Sequence, residues 1–310
     1  MRALLIVNPT ATRVRTADVT SAVTELAAAV SLEVAITAYA GHAGQLARQA
    51  VGERRDLVAV MGGDGTVNEA VNGLLLSEPD RPPESRPALG IIPTGGINVV
   101  ARAFGLRPHV VRSTRQLASA ARQGRRMVVN LGKTNERYFL GSAGMGWGAE
   151  LMERIHQHRR SGHAATWTRY VAEGGRHFLW GTDRRNPALT VSSGDGEAAQ
   201  AVFACLVSNT SPYAYLGSWP LCPSPRASFR TDLEALALMD LSAHRCASFM
   251  TRMLLRPRCE HVGPVRRFAQ QTVLSVTASR PMPYHVDGEP LAPVRKMTFS
   301  SSRRALTVMV

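Results

Sequence analysis

The 310-residue chain predicts an α/β fold in two parts: an N-terminal α/β domain with a parallel sheet over residues 1–126, and a mostly β domain over 127–310. Three observations carry that expectation. Short apolar or β-branched runs alternate with stretches of helical apolar spacing as far as about residue 125. Each of those runs ends in a polar or glycine-rich loop, and after about Arg126 the rhythm changes to strand-like runs separated by turns. With 45% apolar residues the chain can bury two ordinary cores.

In order, Ala3 to Val7, Glu33 to Ala38, Leu57 to Met61 and Ala88 to Ile92 read as strands. Between them Thr20 to Val30, Ala43 to Val51 and Val67 to Leu76 read as helices with plausible N-cap residues upstream. Asp80 to Pro87, rich in proline, reads as a surface loop because the strand pattern resumes at once. In the second half Met127 to Leu131, Tyr138 to Ser142, Leu189 to Ser192, Val202 to Val207, Leu233 to Leu241, Thr272 to Ala278 and Met297 to Phe299 read as strands. Helices are expected near Ala149 to Arg159, Ala164 to Phe178 and Ala243 to Leu255. There is no internal repeat and no long low-complexity tract.

The segment Val60 to Gly73, VMGGDGTVNEAVNG, is the strongest chemical signal. It reads as a strand running through a tight turn into a helix N-terminus, where backbone N–H groups and the helix dipole attract phosphate. Gly62, Gly63 and Gly65 lack a Cβ and let an anion approach the backbone. Asp64 would repel phosphate unless it holds Mg²⁺, a water of its shell or a hydroxyl proton, so a nucleotide with its metal is the natural ligand. In a parallel α/β sheet, ligands sit at the carboxyl ends of the strands. Four loops are expected to meet there: Asn8 to Thr12, Thr37 to Gly44, GGDGT, and PTGGIN at Pro93 to Asn98.

The net charge of +14 comes from 37 basic and 23 acidic residues, and Lys133 and Lys296 are the only lysines. Such a balance attracts phosphate-bearing partners. No nucleic-acid-binding signature accompanies it, so nucleotide and anionic membrane surface rank above nucleic acid. Cys205, Cys222, Cys246 and Cys259 form no CxxC pair and read as reduced thiols. Ala3 to Val7 is too short for a signal peptide, and no run reaches a bilayer-spanning length, so a cytoplasmic protein touching the inner membrane surface transiently is expected.

Asn8 and Pro9, GGDGTVNEAVNGL at Gly62 to Leu74, LGIIPTGGINVVARAFGL at Leu89 to Leu106, YFLGSAGMGWGAE at Tyr138 to Glu150, VSNTSPYAYLG at Val207 to Gly217 and VDGEPL at Val286 to Leu291 resemble the diacylglycerol kinase catalytic family. That family includes bacterial lipid kinases and sphingosine and ceramide kinases. The resemblance implies an N-terminal nucleotide-binding domain, a β-rich acceptor domain, a cleft between them, and ATP with Mg²⁺ as cofactors. Asn8, Thr37, Gly62, Gly63, Asp64, Gly65, Thr66, Val67 and Asn68 look like the ATP site, with Gly95, Gly96 and Asn98 on the facing loop. Thr66 would donate to a phosphate oxygen while Asn68 and Glu69 open the helix. Asp64 resembles the aspartate that orients Mg²⁺-ATP and, in the sphingosine kinase branch, takes the acceptor's proton. Glu289 resembles the proton acceptor of the bacterial branch, a role suited to a carboxylate because the attacking alcohol must lose a proton.

The implied activity is phosphorylation of a free lipid hydroxyl, diacylglycerol to phosphatidic acid by default. Alternatives are a sphingoid base or other lipid alcohol as acceptor, an NAD kinase, and a non-catalytic nucleotide or lipid sensor. The family loop is commonly PxGTxND, so Gly96 stands where a threonine or serine is usual and Val99 where an acid is usual; the first loop lacks the glycine usual at its fifth position. The stretch that matches a structural Mg²⁺ site in some members reads Thr231, Asp232, Leu233, Glu234, without its Asp-Gly, so that site is not expected. His156, His158 and His163, beside Arg154, Arg159 and Arg160, read as a solvated basic helix face rather than a zinc site. Trp147, Trp167, Trp180 and Trp219 read as core residues. The oligomeric state is left open, a homodimer included.

Overall fold

The computed structural model describes residues 1–78, 81–107, 109–135, 137–161, 167–255 and 263–310. The chain forms two compact units, Met1–Leu131 with Ser302–Val310, and Gly132–Ser301. The second unit thus gives up its last residues to the first, a return that strand-by-strand reading of the sequence does not foresee.

The first unit runs β1 (Arg2–Val7), α1 (Thr16–Ala27), β2 (Ser31–Ile36), α2 (His42–Gly52), β3 (Leu57–Gly62), α3 (Asp64–Leu76), β4 (Ala88–Pro93), α4 (Val99–Ala103), α5 (Val110–Gln123) and β5 (Arg126–Lys133). Its parallel sheet has the order β4-β3-β1-β2. Ala3, Leu5 and Val7 of β1, with Leu57, Ala59 and Met61 of β3, bury one face against Leu26 of α1 and Leu117 and Ala118 of α5. The period-two alternation of strands leaves Leu4, Ile6, Val58 and Val60, equally buried, to the opposite face. There α2 and α3 pack on each other through glycines: a Cβ on Gly73 would lie 2.1 Å from the Gly44 carbonyl oxygen, so only glycine permits this approach.

The second unit continues with β6 (Tyr138–Phe139), β7 (Ser142–Gly146), α6 (Trp147–Arg160), α7 (Trp167–Arg176), a π-helical turn (His177–Gly181), β8 (Leu189–Ser193), β9 (Ala198–Val202), β10 (Ala204–Ser208), β11 (Ala214–Leu216), β12 (Trp219–Leu221), β13 (Leu233–Leu238), α8 (Ala243–Leu255), β14 (Val265–Gln271), β15 (Val273–Val286) and β16 (Glu289–Met309). The run β14-β13-β10-β7-β15 is antiparallel throughout. Strand β15 is shared: Leu274 to Ala278 pair with β8, and Tyr284 to Val286 pair with β7. Register shifts against β16 separate the two stretches. Phe139, Val191, Val207, Phe268, Leu274 and Phe299 form the centre of its core.

The α/β character and the β-rich second half agree with the sequence reading. Several bounds do not. Helix α3 opens at Asp64, not at Val67 or Asn68, because Gly63 is the extended N-cap residue and Val67 N–H already bonds to its carbonyl at 3.1 Å. Strand β16 is far longer than Met297 to Phe299. Residues 164–166 of the expected helix, with His163 and Cys259, lie outside the described residues. Trp180 and Trp219 are not core residues: they are 80% and 52% exposed. His158 is not simply solvated, since its Nε2 lies 3.1 Å from Glu173 on α7.

Candidate active site

The strand order places β1 between β2 and β3, so the chain leaves β1 to one side and returns on the other. This is a topological switch point, where the carboxyl ends of β1 and β3 open a crevice. Asn8 and Gly62 to Thr66 stand there. Asn8 N–H bonds to the Met61 carbonyl at 2.9 Å, its Nδ2 donates to Thr66 Oγ1 at 2.8 Å, and its Oδ1 accepts from both N–H and hydroxyl of Thr10. The asparagine therefore ties the first loop to the first turn of α3. Thr66 and Asn68 are buried, while Gly65 is exposed at the helix mouth. The first N–H groups of α3 have no acceptor inside the helix by geometry, and they converge where the dipole favours an anion.

The PTGGIN loop closes onto this turn. Thr94 N–H donates to the Gly62 carbonyl at 2.9 Å. A Cβ on Gly95 would lie 2.7 Å from Gly63 Cα and 2.7 Å from Asn98 Oδ1, so the two glycine loops meet backbone to backbone. Asn98, in the left-handed region at φ 54°, accepts from Gly95 N–H at 2.9 Å and donates to the Gly95 carbonyl at 2.7 Å. Asn98 is thus the internal clamp of the loop. Gly96 is exposed and has open space around its missing Cβ. Thr37 follows β2, its N–H bonded to the Val7 carbonyl, on the far side of β1 from the glycine loops.

Asp64 has a use that the sequence did not reveal. Its two carboxylate oxygens accept the N–H groups of Val99 and Val100 at 2.9 and 3.1 Å, which caps the N-terminus of α4. The carboxylate is half-buried. Among the described residues no three or more His, Cys, Asp or Glu groups could hold a metal between them. Mg²⁺ commonly takes one or two carboxylates and completes its shell with phosphate and water. Asp64 beside the α3 N-terminus fits such a nucleotide-borne ion.

In the second unit, Asp287 and Gly288 form the two-residue turn between β15 and β16, both at positive φ (46° and 80°), the type I′ pattern that Asp-Gly favours. The Asp287 carboxylate accepts N–H groups from Leu140, Gly141 and Ser142 at 2.9, 2.8 and 3.0 Å. Glu289, the next residue but one, is bound through Oε2 to Arg137 Nη2 at 2.5 Å and is 44% exposed. A groove of about 270 Å³ follows it in the chain, walled by Pro290, Leu291, Ala292 and Pro293 on β16 and by Glu153, His156 and Gln157 on α6. One wall is apolar and the other polar. Asp232 accepts the Ser301 hydroxyl at 2.7 Å.

Loops at a parallel-sheet switch point and a β-rich second unit define an α/β protein whose two glycine loops meet at the N-terminus of α3. Residues 2–133 match the diacylglycerol kinase catalytic domain. A diacylglycerol kinase of Bacillus subtilis is 38% identical over 116 residues, a match spanning 37% of this chain and 35% of that relative. The described fold is similar to a diacylglycerol kinase crystal structure from Bacillus anthracis, with TM-score 0.72 and 19% identity over 99% of this chain and 96% of that one. It is also similar, more distantly, to an NAD kinase of Archaeoglobus fulgidus in complex with ATP, with TM-score 0.54 and 11% identity over 99% and 93% of the two chains. At those identities the likeness speaks for the fold alone.

Proposed function

We propose that the protein is an ATP-dependent lipid kinase that phosphorylates a free lipid hydroxyl, diacylglycerol to phosphatidic acid in the first instance, at the cytoplasmic face of an anionic membrane. The observation that carries the reading is the family match over residues 2–133, which falls on the unit where Asn8 is bonded to Thr66 in the first turn of α3 and Gly95 packs closely on Gly63. In this reading the first-turn N–H groups of α3 and Thr66 bind phosphate oxygens, and Asp64 orients the nucleotide with Mg²⁺. A metal held there with the nucleotide would supply charge neutralisation for the transferring phosphoryl group. Glu289 takes the acceptor's proton through Oε1 while Arg137 holds Oε2, and the half-apolar groove beginning at Pro290 is of a kind to accept a molecule with one polar and one oily side.

The test is to incubate the purified protein with labelled ATP, Mg²⁺ and separate preparations of dispersed diacylglycerol, sphingoid base, other lipid alcohols and NAD. Label in diacylglycerol is the expected result. Label in NAD alone, or in no acceptor while nucleotide still binds, overturns the reading in favour of an NAD kinase or a sensor.

A further inference from the structure

The π-helical turn His177–Gly181 fastens two of its residues inward and pushes two outward. His177 is 2% exposed and its Nε2 lies 2.8 Å from Glu150 Oε2 on α6. Its ring is stacked on Trp147 at 5.8 Å between centroids, and Phe178 meets the same indole edge-on at 6.3 Å. Arg184 lies over the Phe178 ring at 4.6 Å and donates to the Phe178 and Leu179 carbonyls at 2.6 and 3.1 Å. Thr182 Oγ1 closes the turn on the His177 carbonyl at 2.8 Å. Against this anchored base, Leu179 is 54% exposed and Trp180 80% exposed.

A large apolar pair displayed on a turn this firmly held is not a frayed end. Trp is the residue that favours the headgroup level of a bilayer, where an amphipathic ring meets both oil and water. The surrounding sequence supplies the matching charge. Arg176 and Arg185 are exposed, Arg184 caps the turn, and the single acid among them, Asp183, accepts N–H groups from Arg185 and Asn186 and the Asn186 side-chain amide. Arginines around an apolar tip suit an anionic lipid surface. A second copy of the chain would bring the same arginines against one another, in a protein already at +14.

We infer that Leu179 and Trp180 are a membrane-insertion tip, seated in an anionic bilayer with Arg176 and Arg185 on its headgroups. The inference needs neither nucleotide nor turnover, so it stands or falls apart from the kinase reading. Vesicles of phosphatidylcholine with phosphatidylglycerol, some carrying brominated acyl chains, test it on the full chain by co-sedimentation and tryptophan quenching. Trp180→Ser and Leu179→Ser should each weaken partitioning by about tenfold, as loss of apolar insertion implies. Trp180→Phe should retain most binding yet lose most of the quenching by brominated chains. Because both side chains are largely exposed, the variants should keep the wild-type thermal midpoint. Wild-type partitioning by Trp180→Ser, or unchanged quenching in Trp180→Phe, overturns the inference. So does a Trp180→Ser protein that turns from dimer to monomer while binding vesicles as before, which would mark a self-association face.

Discussion

Arg137 and Glu289, 152 residues apart in the chain, are joined by an Nη2–Oε2 contact of 2.5 Å. The guanidinium occupies one carboxylate oxygen and fixes the plane of the other, and planar fixing is what a positioned base requires. With Glu289 as proton acceptor, Glu289→Gln should lower turnover by about 10² to 10⁴ fold and leave ATP affinity unchanged. Arg137→Gln should lower turnover by about tenfold through lost orientation, with partial recovery in Arg137→Lys, which keeps the charge but not the fork. Turnover and nucleotide affinity measured on the three variants check this. A wild-type rate for Glu289→Gln at saturating lipid would move the base elsewhere, with Asp64 the next candidate.

Asp64 is expected to serve structure and chemistry together. Asparagine in its place keeps one acceptor oxygen but turns an amide toward the second N–H of α4, leaving Val99 or Val100 N–H without its partner. Asp64→Asn should therefore cost about 1–3 kcal/mol of stability in the first unit and nearly abolish turnover through weakened Mg²⁺-dependent ATP binding. Denaturant unfolding and nucleotide titration with and without Mg²⁺ distinguish the two effects. Unchanged affinity in a folded variant would remove Asp64 from the nucleotide site.

Gly95 and Gly96 are neighbours with opposite tolerances. A methyl at Gly95 would press on Gly63 Cα and Asn98 Oδ1, both 2.7 Å away, and the backbone on one side cannot yield cheaply. Gly95→Ala should destabilise the first unit and abolish nucleotide binding. At Gly96 a side chain meets open space and φ is not positive, so Gly96→Ser should fold normally. The added hydroxyl, at the position where relatives commonly carry one, is expected to tighten ATP binding severalfold. Calorimetric titration of both variants decides the matter, and weaker binding by Gly96→Ser would show that the open space belongs to the ligand.

Much of the first unit was legible because its signals are local. Parallel strands buried on both faces leave continuous apolar runs such as Leu57 to Met61, and glycine loops mark their carboxyl ends. The contacts that complete the loops within each unit are not local. Asp64 reaches 35 and 36 residues along the chain to Val99 and Val100, and Asp287 reaches back about 146 to the loop at Gly141. Neither partner is encoded by spacing. The Asp-Gly pair itself was the available clue to Asp287, since that dipeptide is the preferred type I′ turn and a carboxylate on such a turn can bond to a neighbouring loop. The start of α3 differs from the sequence expectation because Asp-Gly-Thr resembles a loop in propensity, whereas the extended Gly63 N-cap and the tertiary bonds of Asp64 draw it into the helix. Strand β16 extends beyond the expected Met297 to Phe299, in part because its polar residues from Ser300 to Arg304 carry no period-two signal.

His285 gives the second unit a pH dependence with a definite sign. It sits on β15 opposite Gly144 of β7, is 2% exposed, and its Nδ1 is buried without a hydrogen-bond partner. Burial pushes its pKa down from 6.5 to about 4, because the imidazolium would lose its hydration. The unfolded chain takes up the proton near pH 6.5 and the folded one only near 4, so the contribution is fully present above pH 6.5 and is lost as pH falls toward 4. Its full extent is roughly 3 kcal/mol. Replacing His285 by Met keeps much of the volume and removes the titration. Urea unfolding of the wild type and His285→Met, followed between pH 7 and pH 4, should show the wild type losing stability more steeply below pH 6.5. Carboxylates titrate in both proteins and cancel in the difference. Parallel curves would mean that the imidazole finds a charge-stabilising partner or solvent in the native state.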